Sequence, residues 1–178
     1  MSIQIFILSR LMEGNNYPYK IKKQLSAPIP LDQLVGLTES KLYYHFESLV
    51  KQGLIEIVEI IKEEHRPDKQ VFGITDKGRE ELPKKIYKLF ENADAITDML
   101  VGLSNLKYVE RDKIISILEK KLVSFTTRWE EIKTFDNVDF YPDKEKLLNF
   151  ISGYYSTRTE HTIHWMEELI NRLKNKEI

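Results

Sequence analysis

The sequence predicts a mainly α-helical chain with one small β-hairpin among its first helices and an all-helical second half. Three observations carry this. Apolar residues recur at helical spacing along most of the chain. Two short β-rich runs, Leu54-Ile55-Glu56-Ile57-Val58-Glu59-Ile60 and Val71-Phe72-Gly73-Ile74, flank a charged stretch, and beyond Thr75 the helical pattern returns and persists. At 178 residues and 42% hydrophobic content, the chain can hold one sizeable domain or two small ones around a real core.

In order, Ile3, Phe6, Ile7, Leu11 and Met12 predict a buried helix, stopped by Gly14 with Asn15 and Asn16. Tyr17 to Leu25 predicts a second, with Pro18 in its first turn and Lys20, Lys22 and Lys23 on a basic side. That side serves equally as a phosphate contact or a solvated surface. Ser26 to Gly36 reads as a connection with one helical turn at Leu31 to Val35. A helix then runs from an N-cap at Thr38 to a stop at Gly53, with Leu42, Phe46, Leu49 and Val50 on its inner stripe and Ser40, Lys41, Tyr44, Ser48 and Lys51 opposite. The two strands follow, with Arg66, Lys69 and His65 in the charged tip between them. Thr75-Asp76 opens another helix, which Pro83 is expected to kink or restart at Leu82. Ile86, Leu89, Phe90, Ala93, Thr97, Leu100 and Leu103 continue as one stripe to a break at Ser104-Asn105. Two long helices close the chain, Tyr108 to Lys133 and Asp143 to Lys174, joined by a loop at Asp136 to Pro142. The inward residues of the first are Ile114, Leu118, Leu122, Phe125, Trp129 and Ile132. Those of the second are Leu147, Ile151, Tyr154, Tyr155, Thr162, Trp165, Leu169 and Leu173.

Charge does not single out a partner, because 27 Lys and Arg balance 28 Asp and Glu. Residues 1–90 carry 14 basic and 12 acidic side chains, a net of +2 against −3 in the remainder. Duplex binding must therefore rest on fold and local placement. The absence of cysteine excludes disulfides, thiol catalysis and cysteine-ligated zinc. The N-terminal apolar run is interrupted by Gln4 and lacks the flanks of a signal peptide, and no stretch approaches the ~20 apolar residues of a membrane span. A soluble cytoplasmic protein is expected. No nucleophile elbow, phosphate-binding glycine loop or paired-carboxylate motif is present, so neither an enzyme nor a cofactor is expected. His161 and His164 have helical metal-ligand spacing, but exposed polar positions beside a Trp stripe explain them more simply, and no metal is expected.

Helix, helix, recognition-type helix and hairpin is the winged helix-turn-helix order. Three pieces resemble the PadR-type transcriptional regulators: the helix pair IFILSRLMEGNNYPYKIKKQL, the run LYYHFESLVKQGLIE, and RPDKQVFGITDKGREEL with its Thr-x-x-Gly start to the next helix. The closing HWMEELINRL is similar to the last helix of the longer subgroup, whose C-terminal domain has three helices. The chain departs from the family pattern at Pro18, where Gly is usual, at Tyr44, where Pro is usual, and at Pro83. The resemblance implies a winged helix-turn-helix DNA-binding domain over 1–82 and an all-helical dimerisation and effector domain over 83–178. It implies a repressor that binds a roughly palindromic operator as a homodimer and is released by a small molecule.

A recognition helix reads base edges from near its N-terminus. The expected DNA contacts are therefore Thr38, Ser40, Lys41, Tyr43 and Tyr44, with Lys20 and Lys23 on the second helix and Arg66 and Lys69 in the wing. Tyr43 suits either a half-buried packing role or a phosphate contact, and His45 reads as structural. Glu39 and Glu47 oppose phosphate on the same helix. In the last helix Arg158 falls within the aromatic stripe, where a buried guanidinium needs a partner. One reading is an ion pair at a dimer interface. The other is a pocket for an aromatic or anionic effector lined by Tyr154, Tyr155, Arg158, Trp165 and Trp129. An alternative of another class is a protein-docking module whose winged helix does not bind DNA.

Overall fold

The computed structural model describes residues 2–25, 39–62, 68–133 and 145–178. The turn expected at Leu31 to Val35, the cap at Thr38, the tip residues His65 and Arg66 and the loop at Asp136 to Pro142 lie outside the described residues. The elements are α1 (Ser2–Met12), α2 (Pro18–Leu25), α3 (Glu39–Lys51), β1 (Ile55–Ile61), β2 (Lys69–Ile74), α4 (Asp76–Asn92), α5 (Ile96–Leu103), a 3-10 turn (Leu106–Tyr108), α6 (Arg111–Lys133) and α7 (Glu145–Lys174). This is a mainly α chain with a winged helix-turn-helix and a helical C-terminal region. No helix among the described residues is long and apolar enough to cross a membrane.

Two compact units emerge, one of Met1–Leu89 with Leu100–Val109, the other of Phe90–Met99 with Glu110–Ile178. In the first, α1 is buried nearly all round through Ile5, Phe6, Ile7, Leu8 and Leu11, which makes it the central helix. Ile21 of α2 and Leu42, Phe46 and Leu49 of α3 complete the core around it. Val50, expected inside, is 37% exposed, because its position lies at the edge of the stripe. Gly53, at φ +69°, ends α3: its N–H reaches the Val50 carbonyl at 2.8 Å and the Leu54 N–H reaches the Leu49 carbonyl at 3.0 Å. That paired arrangement satisfies carbonyls that would otherwise be orphaned at the helix end.

β1 and β2 pair antiparallel from Ile55↔Ile74 to Ile61↔Lys69, with a bulge between Ile57 and Glu59. Asn16 bridges the free edge of β2, exchanging hydrogen bonds with Phe72 at 3.0 and 2.8 Å. Thr75 starts α4. Its hydroxyl donates to the Gly53 carbonyl at 2.7 Å and accepts from the Gly78 N–H at 3.1 Å, so one side chain caps the helix and ties it to the end of α3. Pro83, expected to kink or restart this helix, lies inside a continuous one. The lost hydrogen bond is tolerated because Leu82, Ile86, Leu89 and Phe90 are buried on both sides of it. The stripe expected to run unbroken to Leu103 is instead split between α4 and α5 at residues 93–95.

In the second unit α6 and α7 pack along each other. Ile114, Ile115, Leu118 and Trp129 of α6 and Met166, Leu169, Ile170 and Leu173 of α7 are buried. Lys174 pairs with Glu119 at 2.6 Å across the two helices.

Candidate nucleic-acid interface

The core residues of α3 fix its outer face. With Leu42, Phe46 and Leu49 turned inward, Ser40, Lys41, Tyr43 and Tyr44 are all exposed on the first turns, Tyr44 at 66%. A lysine amine and two phenols thus share the end of the helix that would enter a major groove, and each can donate or, through the phenol, accept a hydrogen bond. Glu47 and Lys51 continue the face one and two turns on, and both are exposed. Ser48, expected on the free face, is half-buried. It accepts from Gln52 Nε2 at 3.0 Å and from Gln4 Nε2 at 3.4 Å, which ties α3 to α1. Gln4, which interrupts the apolar run of α1, also accepts from Lys85 Nζ at 3.1 Å.

His45 borders the core. Its ring meets Tyr44 edge-on with centroids 5.6 Å apart, and its Nδ1 is buried with no hydrogen-bond partner among the described residues. Burial holds its pKa below the ordinary imidazole value, so the ring is neutral at pH 7.

Lys20 and Lys23 are exposed on α2, and Tyr19 beside them is 63% exposed. Lys69 sits at the start of β2 with its ammonium 5.6 Å from the Tyr17 ring centroid. Tyr43 and Lys69 share one cavity wall, which is how the structure brings α3 and the hairpin together. Thr38 and Arg66 lie outside the described residues. Tyr17 and Tyr19 were not singled out by sequence, although Tyr-Pro-Tyr-Lys at the start of α2 signals exposed aromatic residues beside a basic turn.

The residues expected around an effector divide between two places and one core position. Tyr154 and Arg158 share a shallow groove along α7 with Phe150 and His161. The rings of Tyr154 and Tyr155 meet edge-on at 5.5 Å. Trp165 lines a separate cavity of about 410 Å³ with Ile96, His161 and Thr162, and His164 meets it edge-on at 5.4 Å. Trp129 is buried on α6. Arg158, expected to be buried, is exposed, because the surrounding stripe is itself exposed within one chain: Leu147 is 54%, Tyr154 56% and Tyr155 52% accessible. Among the described residues no group of three or more His, Asp or Glu side chains could hold a metal ion.

Residues 7–84 match the model of the transcriptional regulator PadR-like family. The chain matches no curated protein sequence. Among solved structures it is similar to Bacillus subtilis PadR in complex with operator DNA, at 14% identity and a TM-score of 0.44 over 97% of this chain and 99% of that one. The same regulator in complex with p-coumaric acid is 16% identical, with a TM-score of 0.40 over 98% and 99% of the two chains. A transcriptional regulator from Clostridium thermocellum is 29% identical over 48% of this chain and 78% of that one, with a TM-score of 0.39.

Proposed function

We propose that the protein is a DNA-binding repressor, a reading supported by the match of residues 7–84 to the model of the transcriptional regulator PadR-like family. The observation that carries this is the exposed first half of α3, where Ser40, Lys41, Tyr43 and Tyr44 project from a helix whose other side is locked into the core. Residues 1–82 bind the duplex: α3 enters the major groove, and Lys20, Lys23, Arg66 and Lys69 contact phosphate. Residues 83–178 dimerise and receive the effector.

The exposed apolar face of α7 supports a homodimer. Phe150 is 73% exposed, and Leu147, Ile151, Tyr154 and Tyr155 lie along the same helix, an apolar surface that a second copy would cover. Two heads related by a two-fold axis reach successive major grooves about 34–36 Å apart, so the operator is roughly palindromic. An aromatic or anionic small molecule in the groove along α7 that Tyr154 and Arg158 share releases the repressor. The protein works in the cytoplasm.

The test is a mobility shift on DNA upstream of the protein's own gene. A discrete shift that resists excess unrelated duplex supports the repressor. The absence of any shift leaves the second reading, a protein-docking module, which Glu47 on the outer face of α3 favours.

A further inference from the structure

Gln4 interrupts the apolar run of the central helix α1, and its amide joins α3 to α4. Its Nε2 donates to the Ser48 hydroxyl on α3 at 3.4 Å, and its Oε1 accepts from Lys85 Nζ on α4 at 3.1 Å. A lysine ammonium can only donate, so Lys85 dictates which way the Gln4 amide lies, oxygen toward α4 and N–H toward Ser48. Gln52 completes the path, its Nε2 donating to the Ser48 hydroxyl at 3.0 Å and to the Ser48 carbonyl at 3.1 Å. The Gln4–Ser48 step is the longest of these, so it is the one most easily lost when the amide turns over.

The amine of Lys85 is turned into the fold. Lys85 is half-buried, and burial is the main cause of a pKa held below the ordinary lysine value. Glu81, one turn earlier on α4, is paired with Lys84 at 2.6 Å, and the Lys85 amine goes to Gln4. Ser48 receives this path one helical turn beyond Tyr44 and two beyond Lys41, on the side of α3 from which both project. The inner stripe of Leu42, Phe46 and Leu49 is held by packing, which is non-directional and tolerates a small rotation of the helix about its own axis. A hydrogen bond at Ser48 is directional and does not. The far end of α3 is tied separately: Lys77 Nζ donates to the Gln52 carbonyl at 2.7 Å and the Thr75 hydroxyl to that of Gly53 at 2.7 Å.

We propose that Lys85 is a positioning residue for duplex reading: without touching DNA it sets, through Gln4 and Ser48, the rotation at which α3 presents Lys41 and Tyr44. This role rests on the reading of α3 as the helix that enters the major groove. Base edges are met at fixed distance and direction, whereas phosphates are met by long-range charge as well. A rotation of α3 therefore costs sequence discrimination and leaves non-specific affinity in place.

Fluorescence anisotropy of the full chain on the DNA upstream of its own gene and on a scrambled duplex of equal length, at two salt concentrations, tests this role. Lys85→Met is expected to lower the ratio of the two affinities about three- to tenfold, with affinity for the scrambled duplex and the salt slope both as in wild type. Ser48→Ala should lose about as much, and the Lys85→Met/Ser48→Ala double variant no more than either alone, because both act through one path. Lys85→Arg retains a donor and should keep most of the ratio. Thermal melting reports whether each variant is folded, and Ser48→Ala carries the same test where Lys85→Met is not. Unchanged ratios in Lys85→Met and Ser48→Ala, losses that add in the double variant, no recovery in Lys85→Arg, or a salt slope lowered by about 0.9, as loss of a phosphate contact gives, each overturn the proposal. A wild type that holds both duplexes equally overturns the reading of α3 itself and this role with it, an outcome seen before any variant is measured.

Discussion

A Cβ at Gly78 would be driven into the Leu54 carbonyl oxygen and against the Ile74 side chain, and the first of these is backbone that cannot turn aside. Gly78→Ala should therefore cost about 1–3 kcal/mol in urea unfolding. The same Gly78 donates its N–H to Thr75, so the Thr-x-x-Gly signature visible in the sequence has a direct physical basis. His45 gives a pH-dependent counterpart. Its pKa is lowered by burial, so the unfolded chain takes up the proton first. Its contribution is intact above the unfolded value of about 6.5 and is lost as pH falls through the folded one. A His45→Leu variant should lose that part of the fall in stability between pH 7.5 and pH 5.5; an unchanged pH slope would rule His45 out as a source.

At the scale of elements, α3 was legible because one helical stripe, Leu42, Phe46 and Leu49, is buried by this chain itself, and Gly53 carries the geometry its sequence position signals. Val50 was misplaced because a stripe's edge meets either core or cavity with the same periodicity. Pro83 was misread for a related reason: local propensity favours a break, while buried neighbours before and after it hold α4 continuous. The hairpin's register runs strand to strand as its two apolar runs suggest, apart from the bulge, which alternation alone does not place. If the wing contacts phosphate, replacing Arg66 and Lys69 together by alanine should lower the slope of log affinity against log salt by about 1.8, the release of two phosphate contacts. An unchanged slope would remove the wing from the interface.

At the scale of the whole molecule, the apolar pattern of α7 was legible but its destination was not. Leu169 and Leu173 are buried within the chain, whereas Leu147, Ile151, Tyr154 and Tyr155 on the same predicted stripe are exposed. Periodicity reports that a face is apolar, and does not distinguish burial by the same chain from burial by another. Arg158 followed its neighbours, so a partner argued from burial was not required within one chain. The exposed run predicts that Phe150→Glu converts a dimer into a monomer of half the mass by light scattering; wild type already monomeric at the same concentration would remove α7 as the interface. Among the candidate residues, type and helix were readable for Ser40, Lys41, Tyr43 and Tyr44, while the cavity beside Tyr43 required three elements to meet and had no local signature.

The central claim is that the outer face of α3 reads duplex DNA. It is tested most directly by the ratio of affinities for the upstream fragment and for a scrambled duplex of equal length, measured by fluorescence anisotropy for wild type and Tyr44→Ala. The expected result is a wild-type ratio well above one that falls about five- to hundredfold in the variant, with thermal stability unchanged because the phenol is exposed. Equal ratios for the two proteins would contradict it.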